Sequence, residues 1–167
     1  MKNSSFILIF LFLFQVVANA QSNNVWKKQC IKNKENKDVC FISTKLTLTD
    51  NKKKVIGNLI TVSLRYIELK EQEIKKPFMI INAPTGIDLR YGLQLSIGKN
   101  FNGTAAFVRC TQQGCETNMI VTPKIRKAME AAESMILQYI VYGAKQPHAI
   151  ELSLMGFKKE FAKLKKP

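Results

Sequence analysis

The sequence predicts one mainly β domain, an antiparallel β-sandwich or partly open barrel with one or two short peripheral α-helices. Three observations carry this. Apolar residues alternate with polar ones at period two through the middle of the chain. Turn-forming residues separate those runs at short intervals. No linker, repeat or composition shift divides the 167 residues, of which 46% are apolar and 23% charged.

The strands follow in order. Cys40 to Leu48 is rich in Thr and Ile. Ile60, Val62, Leu64 and Tyr66 alternate with Thr61, Ser63 and Arg65. Phe78 to Asn82 is a further run, and Leu89, Tyr91, Leu93, Leu95 and Ile97 place apolar side chains on one face of a single extended segment. Ala105 to Cys110 and Glu116 to Val121 continue the set. Met135 to Tyr142 is apolar at nearly every position, which suits a strand covered on both faces. His148 to Leu154 closes a total of about eight strands. The turns fall at Asp50-Asn51, at Ala83-Pro84-Thr85-Gly86, in a loop from Asn100 to Gly103, and at Gly143 and Pro147. Thr122 caps a helix with Pro123 at its first position, running to about Ala132. A last helix covers Gly156 to Lys166, with Phe157, Phe161 and Leu164 on its apolar face packing back on the sandwich. Trp26 reads as a core plug.

The first 20 residues read as a cleaved secretory signal: Lys2, then an apolar run from Phe6 to Ala18, then Ala18-Asn19-Ala20 before Gln21. The run is short of the ~20 residues a membrane-spanning helix needs, and nothing later is long enough. The domain is then residues 21–167, periplasmic or envelope-located. Export places the four cysteines in an oxidising compartment, where two disulfides are the default. Four cysteines allow three pairings; the short separations favour Cys30 with Cys40 and Cys110 with Cys115. On the chain-entropy model each such staple contributes about 2 to 3 kcal/mol. Spacings of C-x9-C and C-x4-C with His148 as the only imidazole argue against a metal, and C-x-x-C redox chemistry is absent. No cofactor motif is present either: neither G-x-x-x-x-G-K-[ST], G-x-G-x-x-G nor H-E-x-x-H occurs.

Catalytic groups are thin. His148, Glu151, Asp88 and Glu116 are the residues that would have to meet in a pocket for an enzyme, and Glu68, Glu71 and Glu73 read as a solvated loop. The basic residues are the strongest remaining signal, with 26 Lys+Arg against 12 Asp+Glu and a formal balance of +14, from which signal cleavage removes only Lys2. Lys124, Arg126 and Lys127 share the first helix, and Lys158, Lys159, Lys163, Lys165 and Lys166 coat the last. Further lysines flank Cys30, and Lys75 and Lys76 precede Pro77. Such a field draws a domain toward anionic partners, here lipopolysaccharide, anionic headgroups or acidic glycans on envelope or host surfaces, with peripheral membrane contact. A composition bias that serves solubility alone is the competing reading. Nucleic acid is disfavoured, since Arg65, Arg90, Arg109 and Arg126 are the only arginines and the basic runs lack interleaved aromatics.

Four motifs resemble the invasion-associated locus B family of exported bacterial proteins: Trp26-x-x-x-Cys30; Pro84-x-Gly86-x-x-Leu89-x-x-Gly92-x-x-Leu95-x-Ile97; Phe107-x-x-Cys110-x-x-x-x-Cys115 with Gly114 before the second cysteine; and Ser153-Leu154-x-Gly156-Phe157. The resemblance runs from about Trp26 to Leu164. It implies an immunoglobulin-like β-sandwich at the envelope, linked in pathogenic members to host-cell entry, and no catalytic residues to transfer. Gly98-Lys99-Asn100 stands where the family pattern carries an acidic turn, and Thr117 where a small residue is expected. The expected role is therefore a non-enzymatic envelope binding or structural module. The alternatives are a periplasmic enzyme or inhibitor with its own cleft, and a chaperone-like partner that pairs an open sheet edge with extended chains.

Overall fold

A computed structural model describes residues 26–49, 52, 54–69 and 74–164. The signal segment, Asp50-Asn51, Glu71, Glu73, Lys165 and Lys166 lie outside the described residues. Among the described residues, ten strands form two antiparallel sheets. The first contains β1 (Lys27–Lys32), β2 (Asp38–Thr49), β3 (Val55–Leu69), β4 (Ile74–Ala83), β7 (Phe107–Thr111) and β8 (Gly114–Ile120), ordered β1-β2-β3-β4-β8-β7. The second contains β5 (Leu93–Ile97), β6 (Phe101–Ala105), β9 (Ser134–Tyr139) and β10 (His148–Ser153), ordered β10-β9-β5-β6. The described residues also form two helices outside the sheets, α1 (Pro123–Ala131) and α2 (Phe157–Ala162).

Alternation builds the interior. Ile42, Leu46, Ile60, Val62, Leu64, Met79 and Ile81 come from the inner face of the first sheet, and Leu93, Leu95, Ile97, Met135, Leu137, Ile150 and Leu152 from the second. All belong to one continuous apolar cluster, the expected result when two half-apolar sheets bury their faces against each other. Trp26 plugs one end of it: the indole is 1% exposed, meets Phe157 edge-on at 5.1 Å, and donates from Nε1 to the Ser153 carbonyl at 3.2 Å.

Four sequence expectations change. Leu89–Ile97 is not one strand: Leu89–Tyr91 is a 3-10 turn and only Leu93–Ile97 is extended. Gly92 causes the break, at φ 66°, where a Cβ would lie 2.8 Å from the Ala105 carbonyl oxygen. Leu89 and Tyr91 are accordingly about half exposed. The loop expected at Asn100–Gly103 is mostly strand β6, because the reversal is completed by Gly98 and Asn100, whose N–H donates to the Ile97 carbonyl. β9 is covered on one face only, with Ile136 41% exposed. Strand β1 is an addition, since its three lysines hide its extended character. Its turn is made by Asn33, whose Oδ1 accepts from the Glu35 and Lys37 amides. The unexpected Thr117 is fully buried, and its hydroxyl donates to the Ala106 carbonyl at the bend between β6 and β7.

Both expected disulfides form: Cys30–Cys40 and Cys110–Cys115 join directly opposed residues of antiparallel strand pairs. There are no free cysteines among the described residues.

Asp88 anchors the 3-10 turn. Its buried carboxylate accepts from the Arg90 backbone N–H at 3.2 Å and from Nε at 2.8 Å, and is also bonded by Nη2. The Arg90 side chain holds Asp88 below the ordinary carboxylate range, burial opposing it. A depressed folded-state pKa contributes stability that is complete above the unfolded value of about 3.9 and is lost as pH falls through the lowered folded value. The wild-type melting temperature is therefore expected to fall steeply in acid below about pH 4, and Asp88→Asn to flatten part of that slope. Melting curves from pH 2 to 7 check this, and parallel slopes for the two proteins would contradict it.

Candidate anionic-surface interface

The predicted basic residues sit on two short helices at one end of the sandwich. Helix α1 forms because Thr122 accepts from the Ile125 N–H at 3.3 Å and Pro123 occupies its first turn. Ile125, Ala128 and Met129 face the core, so helical spacing sends Lys124 and Lys127 outward. Both are exposed. Helix α2 buries Phe157 and Phe161, leaving Lys158 and Lys159 exposed, and Lys163 at its C-cap is exposed as well. Leu164, just beyond, is buried. The helices pack against each other, which brings the two lysine groups to the same end of the molecule.

Ion pairs take up some of the basic residues both around the first disulfide and on the helices. Around the first disulfide, Lys32 pairs with Asp38 at 3.0 Å and Lys37 with Glu35 at 2.9 Å. On the helices, Lys163 pairs with Glu160 and Arg126 approaches Glu130 at 3.6 Å. The Lys163 ammonium that bonds Glu160 holds that carboxylate below its ordinary range. Among the described residues no carboxylate forms an ion pair with Lys124, Lys127 or Lys158, and Lys159 feels Glu160 only through space, without a direct ion pair. Lys28, read from the sequence only as part of the first lysine cluster, reaches across to the end of α2, where Nζ donates to the Lys163 carbonyl at 2.9 Å. Arg126 is not an outward partner of Lys124 and Lys127. It is half-buried at the mouth of a cavity of about 370 Å³ together with Lys75, Lys76 and Tyr66. Sequence reasoning noted Lys75 and Lys76 but had no signal for Tyr66, because the cavity exists only once β3, β4 and α1 meet.

The candidate catalytic residues do not converge. His148 stacks on Tyr139 at the exposed start of β10. Glu151 accepts from Ser134 Oγ at 2.6 Å and lines a cavity of about 560 Å³. Glu116 lies under Arg109 at 2.7 Å in another, of about 380 Å³. Asp88 is committed to Arg90. No group of three or more His, Cys, Asp or Glu residues is placed to hold a metal among the described residues, and no described helix is long and apolar enough to cross a membrane. The sheet edges are β1 and β7 in one sheet and β10 and β6 in the other. Lys27, Lys28 and Lys32 on β1 are the kind of charged decoration that blunts an edge against strand addition.

Comparison with known proteins agrees with this architecture. The family model described as Invasion associated locus B (IalB) protein matches residues 26–165. Among solved structures, the crystal structure of invasion associated protein B from Bartonella henselae is similar, with a TM-score of 0.66 and 16% identity over 86% of this chain and 92% of that one. At that identity the likeness concerns the fold. A search of curated proteins finds no match.

Proposed function

Because the chain belongs to the Invasion associated locus B family, we propose that it is an exported, non-enzymatic binding module of the bacterial envelope whose helical end contacts anionic lipid surfaces. The observation that carries this reading is the exposure of Lys124, Lys127, Lys158 and Lys159 together on two packed helices, none of them in a direct ion pair among the described residues. A lysine already paired has little attraction left for an outside anion. An unpaired lysine close to an anionic membrane contributes about 1 kcal/mol. Two disulfides and two short helices on a single apolar core fit a rigid body that works outside the reducing cytoplasm. The scatter of His148, Glu151, Asp88 and Glu116 supports binding over catalysis.

Co-sedimentation tests it. The protein is expected to pellet with phosphatidylglycerol vesicles at low salt, to stay in solution with phosphatidylcholine vesicles, and to be released by 0.5 M salt as charges are screened. Changing Lys124, Lys127, Lys158 and Lys159 to Glu should weaken binding at least about hundredfold. Changing Lys32 and Lys37, which are already paired, to Glu should have only a minor effect. Equal binding to both vesicle types, or no loss in the helical variant, would overturn the reading.

A further inference from the structure

The β3–β4 hairpin overhangs the end of the sandwich. In its register Leu64 opposes Met79 in the core, and two residues further out Tyr66 opposes Pro77. Period-two alternation therefore puts Tyr66 and Pro77 on the inner face, beyond the last layer of buried residues. Tyr66 is held there against Phe161 of α2, ring centroids 6.0 Å apart. The chain leaves β8 beside this overhang, with the Val121 N–H donating to the Pro77 carbonyl at 2.8 Å, and turns into α1. The result is the open groove of about 370 Å³, at the small end of the usual size range for ligand sites.

Its floor is apolar, formed by Tyr66, Pro77, Ile120, Val121 and Pro123. Its other lining residues among those described are Thr122, Lys75, Lys76 and Arg126, so every charge in this described lining is positive. Among the described residues, Glu68 stands opposite Lys75 across the hairpin and Glu130 lies 3.6 Å from Arg126 Nε. Neither lines the groove. Arg126 Nε is shielded from solvent without a hydrogen-bond acceptor. That geometry suits a ligand with an anionic head and one hydrocarbon tail: the floor removes the tail from water, and the guanidinium offers a forked donor to a phosphate.

We propose that this groove takes one hydrocarbon chain of an anionic envelope lipid, with the lipid phosphate held by Arg126 and Lys76. The proposal rests on the reading of the helical end as a membrane-facing surface and supplies the specific contact within it.

Calorimetric titration of the exported chain with dodecyl phosphate, below its micelle concentration, tests the groove. One molecule is expected to bind per chain. Dodecyl maltoside, which keeps the tail, and inorganic phosphate, which keeps only the charge, should each bind at least tenfold more weakly. Arg126→Gln should weaken dodecyl phosphate about tenfold, the usual effect of losing a charge-assisted hydrogen bond. Ile120→Trp should block the groove by filling it, with thermal melts confirming that each variant is folded. If Ile120→Trp fails to fold, protection of the Val121 and Arg126 amide signals by dodecyl phosphate in the unaltered protein decides in its place. Equal binding of inorganic phosphate, unperturbed Val121 and Arg126 signals, or full binding by a folded Ile120→Trp would overturn the proposal. Absence of dodecyl phosphate binding beside intact vesicle co-sedimentation would remove the groove and leave the surface reading standing, whereas loss of both would remove both.

Discussion

Replacing Phe157 by Ala is expected to destabilise the domain by about 3 to 5 kcal/mol, the usual cost of emptying a well-packed aromatic site. Full burial and two ring contacts make the site hard to collapse. The ring is 0% exposed, lies edge-on to Trp26 at 5.1 Å, and stacks with Phe161 at 5.5 Å. Trp26 is itself pinned by its bond to the Ser153 carbonyl, so it cannot slide into the cavity without its indole N–H losing that bond. The entry to α2 is also fixed: Gly156 caps the helix at φ 82°, a conformation other residues adopt only with strain. The junction joins the start of β1, the end of β10 and α2, so the loss should spread to all three. A fall in melting temperature of roughly 10 °C or more is expected for a domain of this size. A loss below about 1 kcal/mol would mean that α2 is not an integral part of the core, because buried aromatic truncations do not come so small.

Removing both disulfides is expected to have an effect of similar size. Cys30–Cys40 and Cys110–Cys115 close loops of sequence separation 10 and 5. Loop-closure entropy assigns each about 2 to 3 kcal/mol, so replacing all four cysteines by Ser should cost about 5 kcal/mol. The effect acts on the unfolded chain, since the folded strands β1 with β2 and β7 with β8 stay paired through their own backbone ladders. Denaturant titration should therefore show a lower midpoint, and thiol reagent should label the oxidised wild type only after reduction. The two pairs differ in one respect. Cys115 is 3% exposed whereas Cys30 and Cys110 are exposed, so a single Cys110→Ser change leaves a thiol whose labelling requires local opening. Unchanged stability under reducing conditions would contradict the staple role.

The sequence was most legible where one physical signal acted alone. Period-two alternation marked the inner faces of β3 and β5, and the Thr122-Pro123 pair located α1 to within a residue. Spacing alone favoured the right cysteine pairs, because hairpins bring close neighbours together. Errors arose where two signals competed. Leu89 and Tyr91 continued the alternation of β5, yet Gly92 and the Asp88–Arg90 pair impose a turn that backbone conformation, not hydrophobicity, decides. Lys27, Lys28 and Lys32 masked β1, since an edge strand with an open face needs no apolar pattern. At the site, the sequence put Lys124 and Lys127 on one helix with Arg126. It could not separate them from Arg126, whose partners come from β3, β4 and β8, far away in the chain.

The central claim is that one end of a stapled sandwich, rather than its charge as a whole, meets the anionic surface. Amide hydrogen exchange of the protein with and without phosphatidylglycerol vesicles measures this most directly. Vesicles are expected to slow exchange in residues 122–131 and 156–163 and to leave β1, β7 and β10 unchanged. Protection confined to those edge strands, or spread evenly over every lysine-bearing segment, would contradict the claim.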